Sequence, residues 1–313
     1  MMVGALAAPA GATPPGRNGL ILFERPTLSA DEPPSDLFTI NPDGSGEARI
    51  FPTRRQHESD AGFSPVSPLV AFSRGTNRTS PEIFVGDIAT GRVRKLTRHR
   101  AFSVAPSFSP DGRRIAYFTD KDFPPPANEE DPAPPSEIYT MNTDGSGKRR
   151  LTRDRHYSFD PDFSPDGRRI VFAEGRPRGR GVQNRLAVMD ADGRNRRPIT
   201  RFGGTDEINP KWTPDGLRIV FEVMGRRTRS DIASIALDGS DLRLLLATPA
   251  WETNPIPSPD GTKIVFTSDR DRRGRDRINR GFEVYTMNAD GTGVTRLTTN
   301  GKVDAFPDWQ RLG

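Results

Sequence analysis

Short apolar runs such as RIAYF, RIVF and KIVF recur along the chain, each preceded by a polar turn of Ser or Thr, Pro, Asp and Gly. SPDGRRIAYFTD (109–120) returns as SPDGRRIVFAEG from Ser164, TPDGLRIVFEVM from Thr213 and SPDGTKIVFTSD from Ser258. Runs this short, bounded by turn residues and rich in Ile, Val and Phe, predict strands, and helical periodicity is hard to find anywhere. Proline presets φ at the first turn position, Asp accepts local backbone hydrogen bonds, and Gly takes the conformation other residues resist. MNTDGSG (141–147) and MNADGTG (287–293) close a second hairpin in the same way. Each copy therefore predicts four antiparallel strands, a to d.

The residue leading into the first turn is Phe63, Phe108, Phe163, Trp212, Pro257 and Trp309, at spacings of 45, 55, 49, 45 and 52 residues. That is the period of a propeller blade. The chain opens on GLILFER (19–25), which reads as a strand b with no strand a before it, and closes on VDAFPDWQRL (303–312), a strand a with nothing after it. The two orphan halves complete one another, which removes open sheet edges. The expectation is an all-β, six-bladed β-propeller of four-stranded antiparallel blades, closed by the C-terminal strand joining the first blade. Residues 19–313 form a single domain in this reading, and residues 1–18 a disordered tail or the remnant of a signal peptide.

Composition narrows the chemistry. Among 313 residues there are 30 Gly, 30 Pro and no Cys, which suits many short strands and excludes disulfides and thiolate chemistry. The net charge of +5 is spread over the chain without interleaved stacking aromatics, so nucleic acid is excluded as a partner. No apolar run is long enough for a membrane-spanning helix. No G-x-S-x-G motif occurs. DADG (190–193) lacks the further acidic ligands of a calcium loop, and DGSGK (144–148) lacks the spacing of a phosphate loop.

The a–b and c–d turns are stereotyped, whereas the b–c and d–a loops differ between blades, so function is assigned to the variable face. Three residues before the proline shared by the inner segments stand Glu58, Ser103, Ser158, Glu207, Glu252 and Asp304; one residue before it stand Asp60, Ala105, Asp160, Asn209, Asn254 and Phe306. Period-two spacing places both sets on one side of an extended segment. Ring closure then gathers Glu58, Asp60, Asp160, Glu207, Asn209, Glu252, Asn254 and Asp304 at an acidic channel mouth, a site for a cationic ligand, a partner's basic segment or a divalent cation. The other reading of the same carboxylates is capping of backbone N–H groups at blade junctions. Arg176, Arg178, Arg180, Arg226, Arg227, Arg229, Arg272, Arg273 and Arg275 would form a basic rim around that mouth.

Repeats of the form P-x-F-SPDG-x-x-I-x-F followed by EIYTMN, DGSG and RLT resemble the TolB-type, WD40-like β-propeller repeat over residues 19–311. The resemblance implies a non-catalytic scaffold that binds a protein or peptide partner, monomeric, without a cofactor, and periplasmic or extracellular rather than cytoplasmic. Similar repeats also build some polysaccharide lyases, which use several histidines for a divalent metal and the general base. The alternative is therefore a metal-assisted carbohydrate-active enzyme using His57, His99 and His156, all in d–a loops.

Overall fold

The computed structural model of the chain describes every residue except 1–15, 27–34, 54–55, 77–78, 125–133, 154–155, 179–180, 226–228, 272–280 and 301. Its strands form six four-stranded antiparallel sheets, each the blade of one ring. Five blades are continuous in sequence. The first joins Arg17–Pro26, Ser35–Ile40 and Ala48–Ile50 to the last strand of the chain, Ala305–Leu312, which takes the inner position. Closure pairs Ile21 with Trp309 and Leu22 with Asp308. Trp309 packs with Ile21 and Phe23 of blade 1 and with Val265 and Val284 of blade 6, so the first and last blades share one apolar cluster.

The repeated motifs have local reasons. In blade 3 the Gly112 N–H donates to the Ser109 carbonyl (2.8 Å), and the Asp111 carboxylate accepts from the Ser109 hydroxyl (2.5 Å) and the Arg113 N–H (3.1 Å). Gly112 has φ +66°, which favours glycine. In DGSG the glycine has a second reason. Gly145 (φ +87°) lies so close to the Leu96 carbonyl of the preceding blade that a Cβ would meet it at 3.2 Å. Glycines 44, 193, 239 and 291 approach the carbonyls of Leu297, Leu151, Ile199 and Leu245 in the same way. Each DG turn thus seats on the RLT-type segment of its neighbour.

The threonine of that segment explains the rest of the repeat. Thr152 accepts the Ile138 N–H (2.9 Å) and donates to the Glu137 carboxylate, to which Arg150 also donates (2.6 Å). Thr298, Glu283 and Arg296 make part of the same clamp in blade 6, Thr298 accepting the Val284 N–H at 2.9 Å and Arg296 bonding Glu283 at 2.7 Å. Buried polar groups so matched fix the outer strand at little cost. Apolar residues of strands b and c fill the space between blades: Ala116, Ile138 and Leu151 of blade 3 pack on Phe163, Ile170 and Phe172 of blade 4.

Candidate functional site: an acidic channel below a ring of bulges

The inner strands of blades 2 to 6 (His57–Phe63, Ser103–Phe108, Tyr157–Phe163, Thr205–Trp212 and Glu252–Pro257) line the axis of the ring, together with the closing strand. Each shifts register against its neighbour, as between Ser59 and Gly62 in blade 2 and between Phe159 and Asp162 in blade 4. At the shift stands a residue with left-handed backbone: Asp60, Ala105, Asp160, Asn209, Asn254 and Phe306, all with φ between 49° and 53°. Asp and Asn tolerate this conformation better than other non-glycine residues, which accounts for four of the six positions. A bulge of this kind breaks the alternation of side chains along a strand.

The expected shared side for the two acidic sets is therefore corrected. Glu58, Ser103, Ser158, Glu207, Glu252 and Asp304 turn into the blades and are buried. Glu58 accepts from Arg74 (Nε 2.9 Å), whose guanidinium lies over Phe72 and Phe84. Asp304 accepts from Arg25 Nε at 2.5 Å and Nη2 at 2.9 Å, and Arg25 stacks on Phe38 at 4.6 Å. Glu252 accepts from Arg270 (3.0 Å) and Thr248 (2.7 Å), and Glu207 from Thr205 (2.8 Å). These carboxylates are ion-pair and hydrogen-bond clamps within the blades, not a channel mouth.

Asp60, Asp160, Asn209 and Asn254 do face the axis. With Ala105 and Phe306 they line a cavity of about 290 Å³ that continues down to Pro65, Pro110 and Pro165 of the a–b turns, and hence toward the stereotyped face. Below the bulge ring stands a second layer that sequence reasoning missed: Asp162, Lys211 and Asp308, each directly after the shared proline. Asp162 accepts the Trp212 N–H (3.0 Å) and the Ser107 hydroxyl (3.1 Å), and Asp308 accepts the Phe63 N–H (2.7 Å), so each ties neighbouring inner strands together. The readable signal was the x of P-x-[FW], an Asp in two copies and Lys in a third.

The channel is short of positive charge. Lys211 is 3.7 Å from Asp162, and the other cation on the lining is Arg311. Burial and then the Asp60 charge push the Asp160 carboxyl up to about 7 against the pull of Lys211. Burial likewise pushes Asp308 up to about 7 and raises Asp60 and Asp162. Glu24, behind Asp60, is raised well above the usual carboxylate range by burial and by Asp60, and its Oε2 has no hydrogen-bond partner.

The remaining expectations divide. Among the described residues no three His, Cys, Asp or Glu side chains form a group able to hold a metal ion. His57, His99 and His156 stand at or just before the inner strands of three successive blades, and burial lowers the pKa of His99. Of the basic rim, Arg176 stacks on Phe202 (4.3 Å) and bonds Gln183 (3.0 Å), Arg229 pairs with Asp269 (3.2 Å), and Arg178 is exposed. Arg180, Arg226, Arg227, Arg272, Arg273 and Arg275 lie outside the described residues.

A family sequence model described as "TolB beta propeller domain" matches residues 44–207 and 180–313. The chain belongs to the TolB β-propeller family. It is 32% identical over 137 residues to the Protein TolB homolog of Chlorobium luteolum, covering 43% of this chain and 29% of that protein. It is 29% identical over 223 residues to the Tol-Pal system protein TolB of Francisella tularensis subsp. tularensis, covering 54% of this chain and 48% of that protein. The chain thus spans less than half the length of these curated relatives. The crystal structure of TolB from Acinetobacter baumannii superposes with a TM-score of 0.72 at 19% identity, over 96% of this chain and 68% of that one, a likeness of fold. No helix among the described residues is long and apolar enough to cross a membrane.

Proposed function

We propose that this TolB-family propeller is a non-catalytic binding module of the cell envelope that receives an extended segment of a partner protein, with a basic side chain or amino terminus entering the acidic channel. The observation that carries this reading is the imbalance at the bulge ring: Asp60 and Asp160 both line the cavity, burial raises both, the Asp60 charge raises Asp160 further, and Lys211 is the counter-charge both feel. Like charges held together out of water favour a cation. A guanidinium or ammonium group suits a site whose carboxylates are spread around a ring rather than drawn together around one point. The Francisella relative carries the name of the Tol-Pal system, and a periplasmic, protein-binding role is proposed here on that likeness.

Phe306 stands on the bulge ring among the channel acids. A photo-reactive phenylalanine analogue at this position should yield covalent adducts with a partner protein in intact cells. Those adducts should disappear when Asp60 and Asp160 are both replaced by Asn. Adducts indifferent to the double substitution, or none at all, would refute channel binding.

A further inference from the structure

The face that sequence reasoning set aside carries most of the exposed apolar side chains. Seven large hydrophobic residues are exposed among the described residues; Phe102 is on the variable face and Phe306 is in the channel. The other five, Val66, Leu217, Leu242, Leu244 and Leu312, are 39–65% exposed and lie at or near the a–b and c–d turns or at the end of the closing strand. Exposed cations occupy the same face. Arg113 and Arg168 follow the PDG turns of blades 3 and 4, Lys148 and Arg149 follow the DGSG turn, and Arg194 and Arg197 stand in the corresponding segment of blade 4. Between them Asp111, Asp166 and Asp144 are exposed as well, but accept from their own turn hydroxyls and N–H groups, and Asp192 lies 3.6 Å from Arg194. The slot after PDG reads Arg113, Arg168, Leu217 in successive blades, so the basic sector runs directly into the apolar one.

We infer that the turn face rests on an anionic phospholipid surface, with the arginines on lipid phosphates and Val66, Leu217, Leu242 and Leu244 entering the headgroup layer. Scattered apolar residues alone would mean little. Five of the seven on a face that also carries exposed cations make the pairing by which proteins lie on membranes. A protein partner would be served by a compact central cluster. Here Val66 and Leu217 stand on blades 2 and 5, opposite one another in a six-membered ring, at the same level of the repeat. That arrangement suits a plane. The inference is independent of the channel reading.

Sedimentation of the intact protein with large vesicles tests it. Binding is expected to vesicles of equal parts phosphatidylcholine and phosphatidylglycerol and not to phosphatidylcholine alone, and to fall as salt shortens the screening length. Arg113→Gln with Arg168→Gln should weaken binding roughly tenfold or more, as removal of two surface charges near an anionic leaflet does. Leu217→Ser, Leu242→Ser and Leu244→Ser together should abolish it with the melting temperature unchanged. Arg178→Gln, on the opposite face, should leave it unaffected. Equal binding to both vesicle types, no binding to either, or binding that survives the leucine and arginine substitutions would overturn the inference. Dimers broken by the leucine substitutions, without vesicle binding, would assign the face to a second copy and overturn it equally.

Discussion

Glu58 and Asp60 are two residues apart on one strand and meet different fates. Glu58 enters the blade and shares its own guanidinium, that of Arg74, while Asp60 faces the axis and shares a distant Lys211 with other acids. Asp304 and Asp308 repeat the contrast on the closing strand. An unbroken strand would have put Glu58 and Asp60 on one face. The left-handed residue between clamp and channel separates a layer that holds the blades from a layer able to hold a ligand, and burial raises carboxyl pKa values in both. What differs is the partner. In the clamp layer the counter-charge is built in; in the channel layer much of it is missing.

The largest effect should come from removing both layers of one strand. Deletion of residues 303–313 takes away Asp304, Asp308 and Trp309, and loss of a buried Trp alone costs about 3–5 kcal/mol. The truncated chain should show no cooperative thermal transition by circular dichroism, and a transition like that of the intact protein would disprove closure by this strand. Single substitutions then separate the layers. Glu58→Ala strands a buried guanidinium and should cost about 3–5 kcal/mol, and Asp304→Ala, which leaves Arg25 its two bonds to Glu47, should cost less. Asp60→Asn should cost under about 1 kcal/mol, since it relieves repulsion and keeps the shape. Urea midpoints measure both, and equal losses would erase the distinction between layers.

The channel layer should also leave a pH signature. Asp160 and Asp308 titrate near 7 when folded, against about 4 for an unfolded Asp. The folded state therefore holds protons that the unfolded chain has released. This contribution to stability is fully present below about pH 4 and is lost as pH rises through about 7, at most about 4 kcal/mol per group. The melting temperature of Asp160→Asn with Asp308→Asn should accordingly depend less on pH between 5 and 8 than that of the parent; parallel curves would contradict the raised values. The smallest effect concerns the bulge itself. Ala105 holds φ +50° without the tolerance of Asp or Asn, so Ala105→Gly should raise stability by about 0.5–1 kcal/mol, and a loss would show that the bulge is unstrained there.

The blade count, the closing strand and both turn types were legible because they rest on interactions within a few residues. PDG and DGSG specify their own hydrogen bonds, and an unpaired strand b at one end demands a strand a at the other. The clamp of Glu137, Thr152 and Arg150 is written as E and RLT in the repeat, yet its purpose emerges only when strands c and d pair. The recurrence of Asp60, Asp160, Asn209 and Asn254 was visible, and its first cause is conformational: these residue types accept a left-handed backbone.

Local sequence thus determined the strands, their turns, their number and the closure of the ring. Tertiary structure decided which carboxylates face the axis, because a one-residue bulge inverts the side on which every preceding side chain emerges, and period-two reasoning has no means of placing it. It also decided which charges are spent. Arg74 reaches Glu58 across a strand pair, and Lys211 is brought near Asp160 only when blades 4 and 5 pack side by side. Such pairings depend on distances between segments far apart in the chain, and those distances exist only once the ring is closed.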